Sequence, residues 1–252
     1  MARIAIVTGA AGGIGSKFIE KISVMDDIDE IWAVGRNPEK LEALKTISSK
    51  IVPVIMDLSS VSCRVLSDML KDKKPDVRIL VNNAGTGYMG AFDKMSPEQV
   101  VQICNINCTA PAAIMSEVLP YMTNGARILN ISSASSFQPD PYLAMYSASK
   151  IFLKNLSRAV NNELKARGIT VTSVCPGWVD TGMLPKEVKG RKINYVGMLK
   201  PEKVVSRALK DSAKGKDMSV PGWFAKYFRF YSKITPTGIV MRQWAAIMGK
   251  YV

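Results

Sequence analysis

The chain of 252 residues is 47% hydrophobic and 22% charged and has a formal net charge of +13, with four cysteines and no histidine. This composition is typical of a folded globular protein and excludes a disordered one, and no apolar run approaches the roughly 18 residues that span a bilayer. The absence of histidine excludes Ser-His-Asp and Cys-His catalysis and argues against a metal site, so protons must be handled by tyrosine, lysine or a carboxylate.

The chain enters a strand pattern at its first residues, and its cysteines lack the paired spacing of metal ligands. We therefore expect neither a signal peptide nor a transmembrane helix. We expect reduced thiols in a cytoplasmic protein, with membrane association as an option raised by the tail described below.

The positive charge is concentrated towards the C-terminal end. Residues 1–185 carry 19 basic and 17 acidic side chains, whereas residues 186–252 carry 15 basic and 4 acidic ones. Such a segment could meet an anionic substrate, an acidic membrane surface or nucleic acid, or it could be a solvated face that aids solubility. We expect no nucleic-acid partner, because no recognised binding module accompanies the charge.

Short β-branched runs alternate with helix-length segments along the first two thirds of the chain. The runs predict strands at about 4–8, 31–34, 51–56, 77–81, 127–132 and 169–175, and the segments between them predict helices at about 13–25, 38–48, 60–72, 96–121 and 147–167. A further helix at 201–213 and a last strand at 217–221 follow. This alternation predicts one α/β domain, a doubly wound parallel sheet with helices on both faces.

The first predicted strand runs directly into a glycine-rich turn, Thr8-Gly9-Ala10-Ala11-Gly12-Gly13-Ile14-Gly15, and an amphipathic helix follows. Glycines let the backbone approach a pyrophosphate closely, and the N-terminus of the helix offers unpaired N–H groups and the positive end of its dipole. The turn therefore predicts a dinucleotide site.

The second predicted strand ends in Ala33-Val34-Gly35-Arg36-Asn37 and lacks the acidic residue that would hydrogen-bond a ribose 2′-hydroxyl. A guanidinium at position 36 matches a 2′-phosphate, so the sequence predicts a preference for NADP(H). NAD(H) stays an alternative, because Arg36 could simply begin a solvated helix.

A tyrosine and a lysine stand four positions apart in Tyr146-Ser147-Ala148-Ser149-Lys150. Residues at this spacing lie on one face of a helix, which would bring the Lys150 ammonium beside the Tyr146 phenol. A phenol near pKa 10 is a poor base at neutral pH, and an adjacent ammonium together with an oxidised nicotinamide would favour its phenolate. The pair therefore predicts a proton carrier.

Further motifs accompany the glycine turn and the Tyr-Lys pair in a consistent order. They are Asp57 after the third strand, Asn82-Asn83-Ala84-Gly85 at the end of the fourth, Asn107 in Asn-Cys-Thr-Ala-Pro, Ser133 in Ile-Ser-Ser, and Pro176-Gly177-Trp178-Val179-Asp180-Thr181. Over about residues 3 to 181, this order and the spacing Thr-Gly-x-x-x-Gly-x-Gly resemble the short-chain dehydrogenase/reductase family. The resemblance implies a Rossmann-type fold and a dehydrogenase or reductase that uses NAD(P).

The resemblance also implies a catalytic set of Asn107, Ser133, Tyr146 and Lys150. Tyr146 would be the acid/base, and Ser133 would hydrogen-bond the substrate oxygen. Lys150 would assist Tyr146 and bind the nicotinamide ribose, and Asn107 would hold a water that links Lys150 to solvent.

For the cofactor, the resemblance implies that Asp57 contacts the adenine, that Asn83 and Gly85 line the adenosine side, and that Thr181 holds the carboxamide. The full predicted cofactor set is Thr8, Gly9, Gly13, Ile14, Gly15, Arg36, Asp57, Leu58, Asn83, Ala84, Gly85, Tyr146, Lys150, Pro176, Gly177, Val179 and Thr181. Family members are often dimers or tetramers, so we expect a homodimer or homotetramer.

Two segments depart from the common family pattern and concern the substrate. Residues 178–200 predict a lid. Its Met and Leu side chains favour a hydrophobic substrate, such as a steroid, a bile-acid-like compound or a fatty-acyl compound, and the surrounding lysines could attract one that bears an acid group. Residues 222–252 form a basic, aromatic extension that could rest on a membrane, pack on a neighbouring subunit, close over the active site, or be a plain buried helix.

The leading functional prediction is an NADP(H)-dependent oxidoreductase that reduces a ketone or oxidises a secondary alcohol. Epimerisation or dehydration by the same Tyr-Lys machinery is one alternative. A non-catalytic NADP(H)-binding redox sensor is another, although a sensor would have little need of Ser133, Tyr146 and Lys150 together.

Overall fold

A computed structural model describes residues 1–60, 63–184, 187–188 and 190–252. Residues 61 and 62 of the predicted helix at 60–72 lie outside the described residues. So do residues 185, 186 and 189 of the predicted lid.

Seven strands form one parallel sheet in the spatial order β3-β2-β1-β4-β5-β6-β9. Two further strands, β7 and β8, form a separate antiparallel pair within the predicted lid. The bounds are β1 (Arg3–Thr8), β2 (Glu30–Gly35), β3 (Ile51–Ile55), β4 (Asp76–Asn82), β5 (Arg127–Ile131), β6 (Thr170–Val174), β7 (Glu187–Val188), β8 (Arg191–Lys192) and β9 (Met218–Ser219). The predicted doubly wound α/β fold is thereby confirmed.

Helices cover both faces of the sheet. They are α1 (Gly13–Ser23), α2 (Pro38–Ala43), α3 (Arg64–Lys73), α4 (Pro97–Cys104), α5 (Ala110–Val118), α6 (Ala144–Glu163), α7 (Pro201–Ala213), α8 (Trp223–Ile234) and α9 (Thr237–Met248). Successive strand residues point to opposite faces, so Ala5 and Val7 join one buried cluster while Ile4 and Ile6 join another. The core thus lies on both sides of the sheet, which explains why its strands are continuously apolar.

The segment at 96–121, predicted as one helix, consists of α4 and α5 joined by a π-helical turn at Asn105–Thr109. Ser96 and Gln99 form a capping box at its start. The N–H of Ala110 donates to the carbonyl of Asn105, five residues back, which is the bond that defines a π turn. Such turns recur at functional sites, and this one holds Asn107.

Helix α6 begins at Ala144, earlier than the predicted 147, so Tyr146 lies in its first turn. The predicted helix at 38–48 ends at Ala43 and continues as a 3-10 turn over Leu44–Thr46. The C-terminal extension forms α8 and α9, separated by a short link. Of the helices within the described ranges, none combines the length and the apolar character needed to cross a membrane.

Candidate active site

The predicted site residues follow the carboxyl ends of strands β1 to β6, or lie on the π turn and in the first turns of α6. Because β1, β4 and β5 are parallel neighbours, their carboxyl ends meet at one edge of the sheet. Ligands of open α/β sheets bind in the crevice at this edge. The glycine turn, Asn107, Ser133 and Tyr146 are therefore gathered there, although they lie far apart in sequence.

The glycine turn folds back on itself at the start of α1. Gly9 has a φ of +61°, and its carbonyl accepts a hydrogen bond from the N–H of Gly12 at 3.0 Å. A Cβ at Gly15 would overlap the carbonyl oxygen of Gly9, and one at Gly13 would lie 2.9 Å from Cγ2 of Thr181. Only glycine fits these two positions, because the backbone and Thr181 occupy the space.

Helix α1 starts without a capping side chain and without an acidic residue in its first turn. Its first N–H groups have no partner within the helix, and they carry the positive end of the dipole. This turn therefore suits a pyrophosphate, with Gly13, Ile14 and Thr181 beside it. Ile14 also packs against the buried cluster that contains Ala5 and Val7, so it fixes the turn to the core.

Thr8 and the start of the β4–α4 loop brace this turn from below. The Thr8 hydroxyl accepts hydrogen bonds from the N–H groups of Asn83 and Ala84, each at 3.0 Å. The Asn83 side-chain amide donates to the carbonyls of Thr8 and Gly9, also at 3.0 Å. Thr8 and Asn83 thus hold the turn in place, and their direct contact with a cofactor stays a prediction.

Arg36 and Asp57 lie close together beyond the ends of β2 and β3. The Asp57 carboxylate accepts a hydrogen bond from the N–H of Ser59 at 2.9 Å, and this bond is the main cause that lowers its pKa. The nearby charge of Arg36 lowers the pKa further. The Arg36 side chain is exposed, so its guanidinium is free to meet an anion at this end of the crevice. Leu58, next to Asp57 in the chain, is buried.

Tyr146 lies against Gly87 and within hydrogen-bonding reach of Ser133. A Cβ at position 87 would stand 2.9 Å from Cδ2 of the Tyr146 ring. Burial raises the pKa of Tyr146, and the hydrogen bond with Ser133 opposes that shift only in part. In the protein alone, removal of the phenol from water outweighs the polar contact, and the lowering that we expect from an oxidised nicotinamide beside Lys150 stays a prediction.

Lys150 is 3% exposed, and its Nζ donates to the main-chain carbonyl of Ile131 at 2.8 Å. The same nitrogen lies 5.6 Å from the centroid of the Tyr146 ring. Burial lowers the pKa of Lys150 to about 8. The spacing of four does place the two side chains on one helix face, and the carbonyl at the end of β5 fixes where the ammonium stands.

The Asn107 side chain is fully buried and makes three hydrogen bonds. Its Oδ1 accepts from the N–H of Thr86 at 2.9 Å, and its Nδ2 donates to the carbonyl of Thr86 at 2.8 Å and to Oγ of Ser149 at 2.9 Å. Asn107 therefore fastens the loop after β4 to α6. Its role in holding a water stays a prediction.

Apart from Gly85, which follows β4, the remaining predicted residues lie where the chain leaves β6. The carbonyl of Pro176 accepts from the N–H of Ala134 at 2.7 Å. A Cβ at Gly177 would stand 3.2 Å from Cδ1 of Phe224, and Val179 forms an isolated bridge with Leu199. A Cβ at Gly85 would stand 3.3 Å from Nζ of Lys150. Their direct contact with a cofactor stays a prediction.

Sequence reasoning missed several residues of this site. Gly87 supports the Tyr146 ring, and Thr86 and Ser149 hold Asn107. Asp140 is 1% exposed, and burial raises its pKa to about 6. The run Ala84-Gly85-Thr86-Gly87 carries a signal for a close backbone approach, whereas nothing in the sequence singles out Asp140.

Five aromatic side chains, here called the aromatic cluster, join the lid to the C-terminal helices. The rings of Trp178 and Trp244 stack at 6.1 Å, and the Nε1 of Trp244 donates to the carbonyl of Pro141 at 3.1 Å. Pro141 lies in the loop that leads into α6 and Tyr146. The other members of the cluster are Tyr195, Phe224 and Phe228.

The chain is similar to known proteins over most of its length. The family model described as short chain dehydrogenase matches residues 3–192. The inactive hydroxysteroid dehydrogenase-like protein 1 of Homo sapiens is 36% identical over 192 residues, which cover 72% of this chain and 57% of the human protein. The chain thus spans little more than half the length of that relative.

Two further proteins are similar to most of this chain. A 3-ketodihydrosphingosine reductase of Bacteroides thetaiotaomicron is 29% identical over 212 residues, which cover 81% of this chain and 76% of the relative. The solved structure of the closed form of a serine dehydrogenase complexed with NADP+ superposes with a TM-score of 0.76 at 26% identity, covering 87% of this chain and 94% of the other.

Proposed function

Because this chain belongs to the short-chain dehydrogenase family, we propose that it is an NADP(H)-dependent oxidoreductase that reduces a ketone or oxidises a secondary alcohol. The observation that carries the proposal is the position of the Tyr146 phenol, which lies beside Ser133 and shares a helix face with Lys150. All three groups stand at the crevice that the glycine turn closes on one side.

In this mechanism, a nicotinamide dinucleotide supplies or accepts the hydride when it is bound. Its pyrophosphate would be held by the glycine turn, and its 2′-phosphate by Arg36. The similar solved structure of a serine dehydrogenase contains NADP+, which supports this choice of cofactor. NAD(H) is the weaker candidate, because no acidic residue stands at position 36.

The chain itself handles the proton. The raised pKa keeps Tyr146 protonated at neutral pH, which is the state that must donate a proton to a carbonyl oxygen during ketone reduction. The Ser133 hydroxyl would hydrogen-bond the same oxygen. The buried Lys150 ammonium, held by Ile131, would stabilise negative charge on the phenol after the proton leaves.

We propose a hydrophobic ketone or secondary alcohol as the substrate, such as a steroid, bile-acid-like or fatty-acyl compound. The aromatic cluster supplies apolar surface beside the loop that leads into α6. Two relatives, a hydroxysteroid dehydrogenase-like protein and a 3-ketodihydrosphingosine reductase, support this substrate class by their names.

Turnover of NADPH with a panel of bulky and small ketones tests the proposal. Tyr146→Phe is expected to lower kcat by at least about 100-fold, because a proton donor in the transition state is lost, while NADPH binding is retained. Tyr121→Phe is the matched control, since Tyr121 lies near Asp76 at the opposite edge of the sheet. Full turnover by Tyr146→Phe would contradict the mechanism, and activity on small sugars alone would contradict the substrate class.

A non-catalytic NADP(H)-binding sensor is the second candidate, because the human relative is named inactive. This chain has Ser133, Tyr146 and Lys150 together, which favours catalysis. Tight NADPH binding without turnover on any ketone or alcohol of the panel would favour the sensor.

We also propose that the protein forms a homodimer or homotetramer in the cytoplasm. Val101 on α4 and Phe152 on α6 are exposed apolar side chains on two helices that pack together, and they offer a subunit contact. Light scattering of the purified protein, with Val101→Glu as the variant, measures the subunit count.

A further inference from the structure

Helix α8 exposes a line of large apolar side chains. Trp223, Tyr227, Phe230 and Ile234 are 63%, 56%, 62% and 62% exposed. Their spacing of four, three and four residues places them on one face of the helix, here called the α8 stripe. An exposed contiguous apolar patch of this kind marks a contact with a partner or a membrane.

The opposite face of α8 is fixed to the body of the protein. Ala225 is buried, and Phe224 and Phe228 stack with ring centroids 5.9 Å apart inside the aromatic cluster. The ring of Phe228 also lies 6.1 Å from that of Trp244. Helix α8 therefore has two apolar faces. One packs against the body of the protein, and the other, the α8 stripe, is exposed and available for a contact outside this chain.

Basic side chains follow one flank of the α8 stripe. Lys226, Arg229 and Lys233 recur at three and four residues, between the stripe and the buried face. Residues 218–252 contain five basic side chains and no acidic one. A surface that meets this face must therefore supply the negative charge itself.

We propose that the α8 stripe and its basic flank bind the surface of a bilayer that carries anionic headgroups. An interfacial helix inserts apolar and aromatic side chains at the boundary of the acyl chains while Lys and Arg reach the headgroups. Trp and Tyr, which occupy two of the four stripe positions, are the residues favoured at that boundary. Helix α8 meets each of these requirements.

A second copy of the chain fits the same face less well. A two-fold contact places the same surface on both partners. It would bring two basic flanks together without an acidic residue from 218–252 to pair with them, and like charges at a contact oppose association. A bilayer with anionic lipids removes this conflict.

The α8 stripe continues into the predicted lid. A Cβ at Gly197 would lie 3.4 Å from Cε2 of Trp223, and Val196 and Met198 on either side are 49% and 45% exposed. The bilayer would then lie against the lid as well as the helix. If the proposed function holds, an apolar substrate could enter from the lipid, but the binding surface does not depend on that function.

Vesicle sedimentation with the full chain tests the proposal. The wild type is expected to bind vesicles of phosphatidylcholine with 30% phosphatidylglycerol, and to bind pure phosphatidylcholine much more weakly. The double variant Lys226→Gln/Lys233→Gln should bind the anionic vesicles roughly 25-fold more weakly, since each charge contributes about five-fold near such a surface. Raising the salt concentration should weaken the wild type in the same direction.

A stripe variant and a matched control test the apolar part. Phe230→Ser/Ile234→Ser is expected to lose at least ten-fold in vesicle binding, whereas Phe92→Ser, which changes a side chain that is 59% exposed outside α8, should bind as the wild type does. Circular dichroism and thermal unfolding of each variant are the checks that the variant is folded. Trp223, the most exposed tryptophan among the described residues, should shift its emission to shorter wavelength with vesicles, and Trp223→Phe should abolish the shift.

Absence of wild-type binding to anionic vesicles would overturn the proposal, and so would binding that the stripe variant leaves unchanged. A stripe variant that halves the mass in light scattering, with no vesicle binding by the wild type, would assign the face to a second copy instead. None of these measurements uses NADPH or turnover, so their outcome is independent of whether the proposed reductase activity is found.

Discussion

A side chain at position 87 would stand 2.9 Å from Cδ2 of Tyr146, so Gly87 sets how deep the ring of the proposed acid/base lies. We predict that Gly87→Ala lowers kcat by about 10- to 100-fold, because a displacement of about 1 Å at a reacting group can cost this much. Steady-state turnover of NADPH measures the effect, and NADPH affinity should change little.

Gly238→Ala is the control for this variant, since a Cβ at Gly238 meets nothing within 4 Å. It should have wild-type kcat. If Gly87→Ala also kept wild-type kcat, the Tyr146 ring would tolerate the added methyl group, and the positioning role of Gly87 would be wrong.

The guanidinium of Arg36 stands near Asp57 at the end of the crevice where a 2′-phosphate would lie. We predict that Arg36→Ala raises the KM for NADPH by about 10- to 100-fold and leaves the KM for NADH nearly unchanged, because a charge-assisted contact to the phosphate is lost. Arg64→Ala, at an exposed position at the start of α3, is the control. Equal effects on both cofactors would show that Arg36 does not read the phosphate.

Asp140 is almost completely buried, and burial raises its pKa to about 6 although hydrogen bonds from Gln138 and Ser135 act against the shift. The folded state then favours the protonated acid. The contribution of the protonated Asp140 to the free energy of unfolding is complete below the usual pKa of an aspartate, and it is lost as the pH rises through about 6. At pH 8 the ionised form costs at most about 3 kcal/mol of unfolding free energy.

We therefore predict that Asp140→Asn stabilises the protein at pH 8 and that the gain shrinks as the pH falls towards 4. Chemical unfolding at several pH values measures the difference. Asp211→Asn should instead destabilise the protein at pH 8, and this loss should shrink as the pH falls towards 4. Burial acts to raise the pKa of Asp211, but hydrogen bonds from Lys216, Arg207 and Ser219 outweigh burial and lower it. A pH-independent effect of Asp140→Asn would refute the prediction.

Trp244 links α9 to the lid and to the loop before Tyr146 through its contacts with Trp178 and Pro141. We predict that Trp244→Ala lowers the unfolding free energy by about 3 kcal/mol and raises the KM for a bulky ketone by about ten-fold, because the wall of the substrate side loses its packing. The Kd for NADPH should stay within about two-fold. Ile247→Ala, which truncates an exposed side chain of the same helix, should leave all three quantities nearly unchanged.

The positions that sequence reasoning identified are those whose signal is local. The alternation of apolar runs and helix-length segments predicts the sheet and its helices. The glycine turn predicts a dinucleotide site at the start of the first helix, and the Tyr-Lys spacing predicts a proton carrier on a later helix. The family model confirms the resemblance over residues 3–192. The π turn at Asn107 was missed, because an i to i+5 bond leaves no periodic signal in so short a stretch.

The fold class, the family and the residue types of the site follow from the amino-acid sequence alone, because these depend on periodicity and on spacing within short segments. Three features emerge only from the folded chain: Gly87 supports Tyr146, Ile131 rather than the phenol takes the Lys150 hydrogen bond, and one particular face of α8 is exposed. These features join segments that are distant in the chain. Their contacts follow from how the helices and loops pack, which no local pattern of residues specifies.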